Sequence, residues 1–254
     1  MARTLYDNAF SPFARKVRLV LEHKGLAFES VDALTPERRD ALARVNPRLE
    51  VPVLDDDGLV VVNSADIVAY LEQRYPERPV YPADAAARVR ARAWERTADT
   101  VLDAILHDIS VFMWAFPGST PPPGLREAAR EDLEALYGDL ERTVGRAGPY
   151  VCGELSIADL ALFPHLTGVR LLDVPFSEER HPALLAWYRR MRALEICRGD
   201  IARVQAFLGA LPADRPPLQH IVWRGDRVEW LLAHGFHDWF VGEIRAGRVA
   251  WPRA

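Results

Sequence analysis

Leu5-Tyr6-Asp7-Asn8-Ala9-Phe10-Ser11-Pro12-Phe13-Ala14-Arg15-Lys16-Val17-Arg18 reads as a short strand, a tight connection and the opening of a helix. Pro12 suits the first helical position, because its missing N–H would have no intrahelical partner there. Ser11 then becomes the N-cap, with its hydroxyl beside unpaired backbone N–H groups at the positive end of the helix dipole. Such a place stabilises an anion, a thiolate included. A serine at this position equally serves as a plain helix cap.

Outward from this stretch, residues 1–78 alternate strand and helix signals. Residues 4–7 form a strand. Residues 12–24 form a helix with Phe13, Val17, Val20 and Leu21 on one face and Gly25 as its stop. A second strand over 28–32 and a second helix over 36–45 follow. Strands at 52–55 and 59–62 are joined by Asp56-Asp57-Gly58, a hairpin signal. Ser64 caps a third helix over 65–75, which Pro76 ends. The order is β-α-β-α-β-β-α.

A linker with Pro79 and Pro82 leads into residues 84–208, whose signals are almost all helical. Breaks fall at 116–124, 145–153 and 175–182. Residues 212–219 are proline-rich. Beyond them come a short strand at 221–223, a turn at Arg224-Gly225-Asp226, and a helix over 227–246. The expected units are residues 1–78, 84–208 and an extension, 209–254.

A chain of 254 residues is long enough for one large core or two smaller ones. Its 49% hydrophobic and 27% charged residues are ordinary for a soluble protein. A net charge of −4 gives no ground for nucleic acid or anionic lipid as a partner. No apolar run is long enough to span a bilayer, and the first residues lack a secretory pattern, so no membrane association and a cytoplasmic location are expected. The two cysteines, Cys152 and Cys197, form neither a disulfide framework nor a CxxC pair and read as buried structural thiols. Charges mixed in sign along the helices read as solvated faces.

Two further stretches carry chemistry. In Val51-Pro52-Val53-Leu54, proline at a strand start lacks a ladder donor. With a cis bond, the bend leaves the Val51 N–H and C=O facing outward, where an extended peptide can pair as an added strand. With a trans bond, Pro52 is an ordinary edge-strand proline. Asn63-Ser64 opens the third helix, and a serine with the first amides of a helix is a place for a carboxylate, or a plain cap.

Taken in order, these pieces resemble the N-terminal domain of the cytosolic glutathione transferases. Leu155-Ser156-Ile157-Ala158-Asp159-Leu160 adds the Ser-x-x-Asp box that this family carries in a buried helix of its C-terminal domain. Its spacing is that of a capping box and hydrophobic staple, so Ser156 and Asp159 are structural. The resemblance covers roughly residues 1–208. It implies an α/β thioredoxin-like domain followed by an all-α helical domain, a homodimer, and glutathione as co-substrate.

Carried over residue by residue, the resemblance makes Ser11 the catalytic serine of the serine-type classes, donating a hydrogen bond to the glutathione sulfur and favouring the thiolate. Val51, before Pro52, pairs with the cysteinyl backbone. Ser64 holds the γ-glutamyl carboxylate, with Asn63 standing where the family has Glu or Gln; Asn is one methylene shorter. Arg38, Arg39 or Arg48 meets the glycyl carboxylate, with Arg39 preferred of the three. Phe13 stands where zeta-class isomerases place a cysteine, which weighs against maleylacetoacetate isomerase. With no cysteine near Ser11, omega-class and dehalogenase mechanisms are also disfavoured.

The second substrate, a small apolar electrophile, is expected between the first strand–helix loop and the helical domain. Phe10 and Phe13 flank Ser11. A long helix over 99–116 offers His107, Asp108, Phe112, Met113, Trp114 and Phe116; aromatic residues at helical spacing equally form core or dimer surface. The tail, with Trp223, Trp230, Trp239, Trp251, His234 and His237, resembles the extended C-terminus of some bacterial members and is expected to pack over the helical domain at the pocket edge. His234-Gly235-Phe236-His237 has no accompanying ligand cluster, so no metal is expected. Glutathione-dependent isomerisation or biosynthetic conjugation, and a non-enzymatic binding protein on the same scaffold, are the rival readings.

Overall fold

The computed structural model describes residues 2–113, 120–211 and 221–251; the side chains of Pro36, Arg39, Met113, Ile221 and Val222 fall outside that description. The first unit runs β1 (Arg3–Asp7), α1 (Pro12–Lys24), β2 (Glu29–Asp32), a 3-10 turn (Pro36–Arg38), α2 (Arg39–Val45), β3 (Val53–Asp56), β4 (Leu59–Val62) and α3 (Ser64–Arg74). This is the expected thioredoxin-like order. The sheet order is β2-β1-β3-β4, with β1 parallel to β2 and antiparallel to β3, and β3 antiparallel to β4. Leu5 and Leu54 pair across the sheet centre, both fully buried.

Local chemistry sets the element ends. Asp57 and Gly58 both have positive φ, 59° and 92°, the signature of a two-residue type I′ hairpin. Asp56, expected in the turn, instead ends β3. Its carboxylate accepts from the Tyr70 and Tyr75 hydroxyls at 2.8 and 2.6 Å and pairs with Arg3 at 3.1 Å. The third helix begins one residue early. Its N-cap is Asn63, not Ser64: Asn63 takes φ 71°, which Asn tolerates, and its side chain accepts from the Ala65 N–H at 2.9 Å.

The second unit is helical: α4 (Ala85–Thr97), a π turn (Ala98–Leu102), α5 (Asp103–Ser110), a 3-10 turn (Val111–Met113), α6 (Leu125–Ala147), α7 (Ile157–Leu166), α8 (Pro182–Ala193) and α9 (Glu195–Ala210). The expected 99–116 helix is thus α5 with irregular turns at each end; Trp114 and Phe116 lie outside the described residues. Every residue of α7 is buried. Asp159 satisfies its start, accepting from the Ser156 N–H and hydroxyl, the Val151 N–H and Trp187 Nε1 at 2.7–3.1 Å. The Ser-x-x-Asp box is therefore a folding device.

α1 lies between the sheet and the helical domain, against α3, α7 and α9. Its charged face is not solvated, contrary to expectation. Arg15, Lys16, Arg18 and Lys24 are all buried, because carboxylates from distant segments converge on them. Arg15 meets Asp200 at 2.6 Å, Arg18 meets Asp7 at 2.7 Å, Lys16 meets Glu95 at 3.2 Å and Asp99 at 2.5 Å, and Lys24 meets Glu72 at 2.5 Å. Of the two cysteines, Cys197 is buried and Cys152 is half-buried.

The tail forms β5 (Ile221–Val222), α10 (Gly225–Ala233), α11 (His237–Arg245) and β6 (Val249–Ala250). One helix was expected here; Gly235, at φ 80°, divides it. The tail packs over the helical domain against α5. Trp223 is buried and lies edge-on to His107, Trp239 and Phe240.

Candidate active site

The N-terminus of α1 is built as its sequence implies. Ser11 takes an extended conformation, its Oγ accepts from the Ala14 N–H at 3.4 Å, and Pro12 occupies the first turn. The preceding loop is braced by Asn8, which accepts from the Phe10 N–H at 3.0 Å and donates to Asp32 at 3.2 Å. Two cavities flank this point. The larger, about 800 Å³, is lined by Ser11, Phe10, Phe13 and residues of α5, α7, α9 and the tail. The smaller, about 640 Å³, is lined by Arg48, Val51, Pro52, Asn63 and Ser64 together with Arg92, Arg96 and Arg224. Phe13 lines both.

The Val51–Pro52 bond is cis, the first of the two alternatives that the sequence left open. Val51, Pro52, Asn63 and Ser64 share the smaller cavity, whereas Ser11 lines the neighbouring one across Phe13. Arg48 reaches the smaller cavity with its Nε 2.8 Å from Glu50. Arg38 is exposed and lines neither cavity, and the Arg39 side chain lies outside the described residues.

Of the expected second-substrate residues, Phe10, Phe13 and His107 line the larger cavity. Asp108 and Phe112 do not. Successive residues of a helix turn by about 100°, so Asp108 points away from the stripe formed by Asp103, Leu106, His107 and Ser110. Asp108 is fully buried, and both its oxygens lack a hydrogen-bond partner among the described residues. Burial pushes its carboxyl well above the usual range. Phe112 packs edge-on against Trp239 of the tail instead.

The walls of the larger cavity are mostly apolar, with a polar cluster that sequence spacing did not reveal. Arg227 of α10 bonds Asp103 through Nε at 2.9 Å and Nη2 at 3.3 Å, and its Nη1 lies 3.4 Å from His107 Nε2. Burial alone would raise the Asp103 carboxyl, but Arg227 and the neighbouring His165 hold it well below the ordinary carboxylate range. Burial, reinforced by Arg227, lowers His107 to about 3. His165 of α7 also lines the cavity, its ring edge-on to Phe13 at 5.8 Å. A lone histidine in the apolar run Leu160-Ala161-Leu162-Phe163-Pro164-His165-Leu166 was the available signal. Arg224 stacks on the other side of the site, its guanidinium carbon 4.7 Å from the Phe13 ring centre.

Residues 5–79 match the model of the glutathione S-transferase N-terminal domain, and residues 123–190 match that of the glutathione S-transferase C-terminal domain. The chain is 36% identical over 224 residues to a protein of Oryza sativa subsp. indica named "Probable glutathione S-transferase GSTU1", covering 82% of this chain and 94% of the relative. It is 28% identical to a glutathione S-transferase of Pseudomonas putida, over 88% of this chain and 99% of the relative. Among solved structures, a glutathione S-transferase from Rhodospirillum rubrum superposes with a TM-score of 0.70 at 27% identity, covering 85% of this chain and 96% of that one. A glutathione-bound glutathione S-transferase from Methylobacillus flagellatus gives 0.68 at 26% identity, covering 78% and 98%.

Proposed function

Because this chain belongs to the glutathione S-transferase family, we propose that it is a serine-type glutathione transferase that joins the glutathione sulfur to a small apolar electrophile. The observation that carries this reading is the pair of cavities sharing Phe13, with Ser11 at the wall of one and the cis Val51–Pro52 bond and the start of α3 at the wall of the other.

Glutathione occupies the smaller cavity. Its cysteinyl backbone pairs with Val51, and its γ-glutamyl carboxylate meets Ser64 and the N-terminus of α3, where backbone N–H groups favour an anion. Arg48, and Arg39 with it, supplies charge for the glycyl carboxylate. The sulfur reaches past Phe13 toward Ser11. There the hydroxyl donates to it and the positive end of α1 lowers its pKa, so that more thiolate is present at neutral pH. The thiolate attacks an electrophilic carbon held in the larger cavity. A C–S bond forms, the leaving group departs with its electron pair, and the thiol proton is given up to solvent. The protein acts as a cytoplasmic bacterial homodimer.

Asn63 favours a second reading, a binding protein on the same scaffold, since its side-chain oxygen is engaged by the Ala65 N–H and the residue is short for the γ-glutamyl amino group. Calorimetric titration with glutathione separates the two. Binding in the micromolar to low millimolar range, weakened in Ser64→Ala, is the outcome for the transferase. Absence of binding favours the scaffold.

A further inference from the structure

We propose, resting on the two-substrate reading above, that the larger cavity selects an electrophile whose apolar body carries a carboxylate, and that Tyr188, Arg170 and Arg192 receive that carboxylate. Tyr188, on α8, is 9% exposed and lines the cavity. Phe176 packs edge-on against its ring at 5.4 Å and Phe163 lies at 6.0 Å, which holds the ring in place. The Tyr188 hydroxyl has no hydrogen-bond partner among the described residues, yet unlike the partnerless Tyr81 hydroxyl it is not sealed from solvent. Burial raises its pKa against a lowering pull from Arg192, Arg170 and Arg15, so at neutral pH it keeps its proton and donates.

The charges that act on this hydroxyl all come from arginines. Arg15 is already neutralised by Asp200 at 2.6 Å. Arg170, in the segment after α7, and Arg192, in the last turn of α8, line the cavity and form no ion pair among the described residues. Both are exposed, which places them at the cavity mouth, and the Arg192 guanidinium carbon stands 5.8 Å from the centre of the Tyr188 ring. Asp103 is the only carboxylate among the lining residues, and Arg227 takes it up at 2.9 Å. A substrate anion therefore meets two uncommitted cations, a free hydroxyl donor and no competing acid. A guanidinium is a planar fork that matches a carboxylate in charge and geometry. The remaining lining, with Leu106, Leu172, Ile201 and Leu208, suits the apolar body.

Two unreactive probes of the same shape, 4-propylbenzoate and 4-propylbenzamide, test this by calorimetric titration of the whole protein. Wild type is expected to bind the benzoate about tenfold more tightly. Tyr188→Phe, which removes only the hydroxyl, is expected to reduce that preference about threefold. The double variant Arg170→Gln with Arg192→Gln is expected to abolish it. With S-methylglutathione filling the smaller cavity, the wild-type preference is expected to persist. Equal or tighter binding of the benzamide by wild type, or binding of neither probe, overturns the proposal, as does a preference undiminished in either variant. Loss of the preference once S-methylglutathione is bound also overturns it, by placing the anion in the smaller cavity. Failure of the glutathione reading shows separately, as absence of S-methylglutathione binding.

Discussion

Arg15 and Asp200, 185 positions apart in the chain, form a buried ion pair at 2.6 Å that fastens α1 to α9. Arg15 also donates to the Pro164 carbonyl at 2.8 Å, and Arg18 reaches the other Asp200 oxygen at 3.4 Å. One carboxylate thus serves two buried guanidinium groups. Removing it leaves buried Arg15 with the Pro164 carbonyl and no carboxylate, while Arg18 keeps Asp7, so Asp200→Ala is expected to lower stability by about 3–5 kcal/mol. Urea denaturation measures the loss, and a change under about 1 kcal/mol would show that water reaches these groups.

The start of α7 depends on Asp159 more than on Ser156. Asp159 receives four hydrogen bonds, two of them from Val151 and Trp187 outside the box. Ser156→Ala is expected to cost about 1 kcal/mol, the usual effect of a lost cap. Asp159→Ala leaves several buried donors unpaired and is expected to cost about 3 kcal/mol or more. Thermal or urea unfolding of the two variants side by side checks the ranking.

His107 sets a pH dependence. Its folded value is lowered to about 3, whereas an unfolded histidine titrates near 6.5. Between these values the unfolded chain binds the proton and the folded chain does not. His107 therefore takes stability away as pH falls below about 6.5, by up to about 1.4 kcal/mol per pH unit, until its folded value is reached. His107→Gln is expected to flatten this acid limb relative to wild type when urea midpoints are compared at pH 7 and pH 5.

Arg224 ties the tail to the smaller cavity through its stacking on Phe13. Arg224→Gln is expected to raise the KM for glutathione roughly tenfold, the effect of losing a charge-assisted contact, with a smaller effect on kcat. Steady-state kinetics with glutathione varied measures it. An unchanged KM would place the Arg224 charge outside the glutathione contact.

Much of this was legible because its signals are local. Ser11 before Pro12, Gly25 after Lys24, and the Ser156–Asp159 spacing each specify a helix end from a few neighbouring residues. The buried cations of α1 were not legible. Arg15, Lys16 and Arg18 look like a solvated face until Asp200, Glu95 and Asp99 arrive from distant segments. The same holds for the larger cavity, where Asp103, His165 and Arg227 come from three helices. Asp108 shares α5 with His107, but a one-residue step turns it onto another face, and Phe112 lies past the end of α5 in the 3-10 turn. Asn63 displaced Ser64 as the cap because a positive φ, invisible in composition, suits Asn.

The most direct test of the Ser11 assignment is the pH titration of thiolate absorbance in bound glutathione, for wild type and Ser11→Ala. Wild type is expected to hold the bound thiol at least one unit below the roughly 8.5 of a free thiol, with Ser11→Ala returning it toward that value. A bound thiol that titrates identically in both proteins would contradict a thiolate held by Ser11.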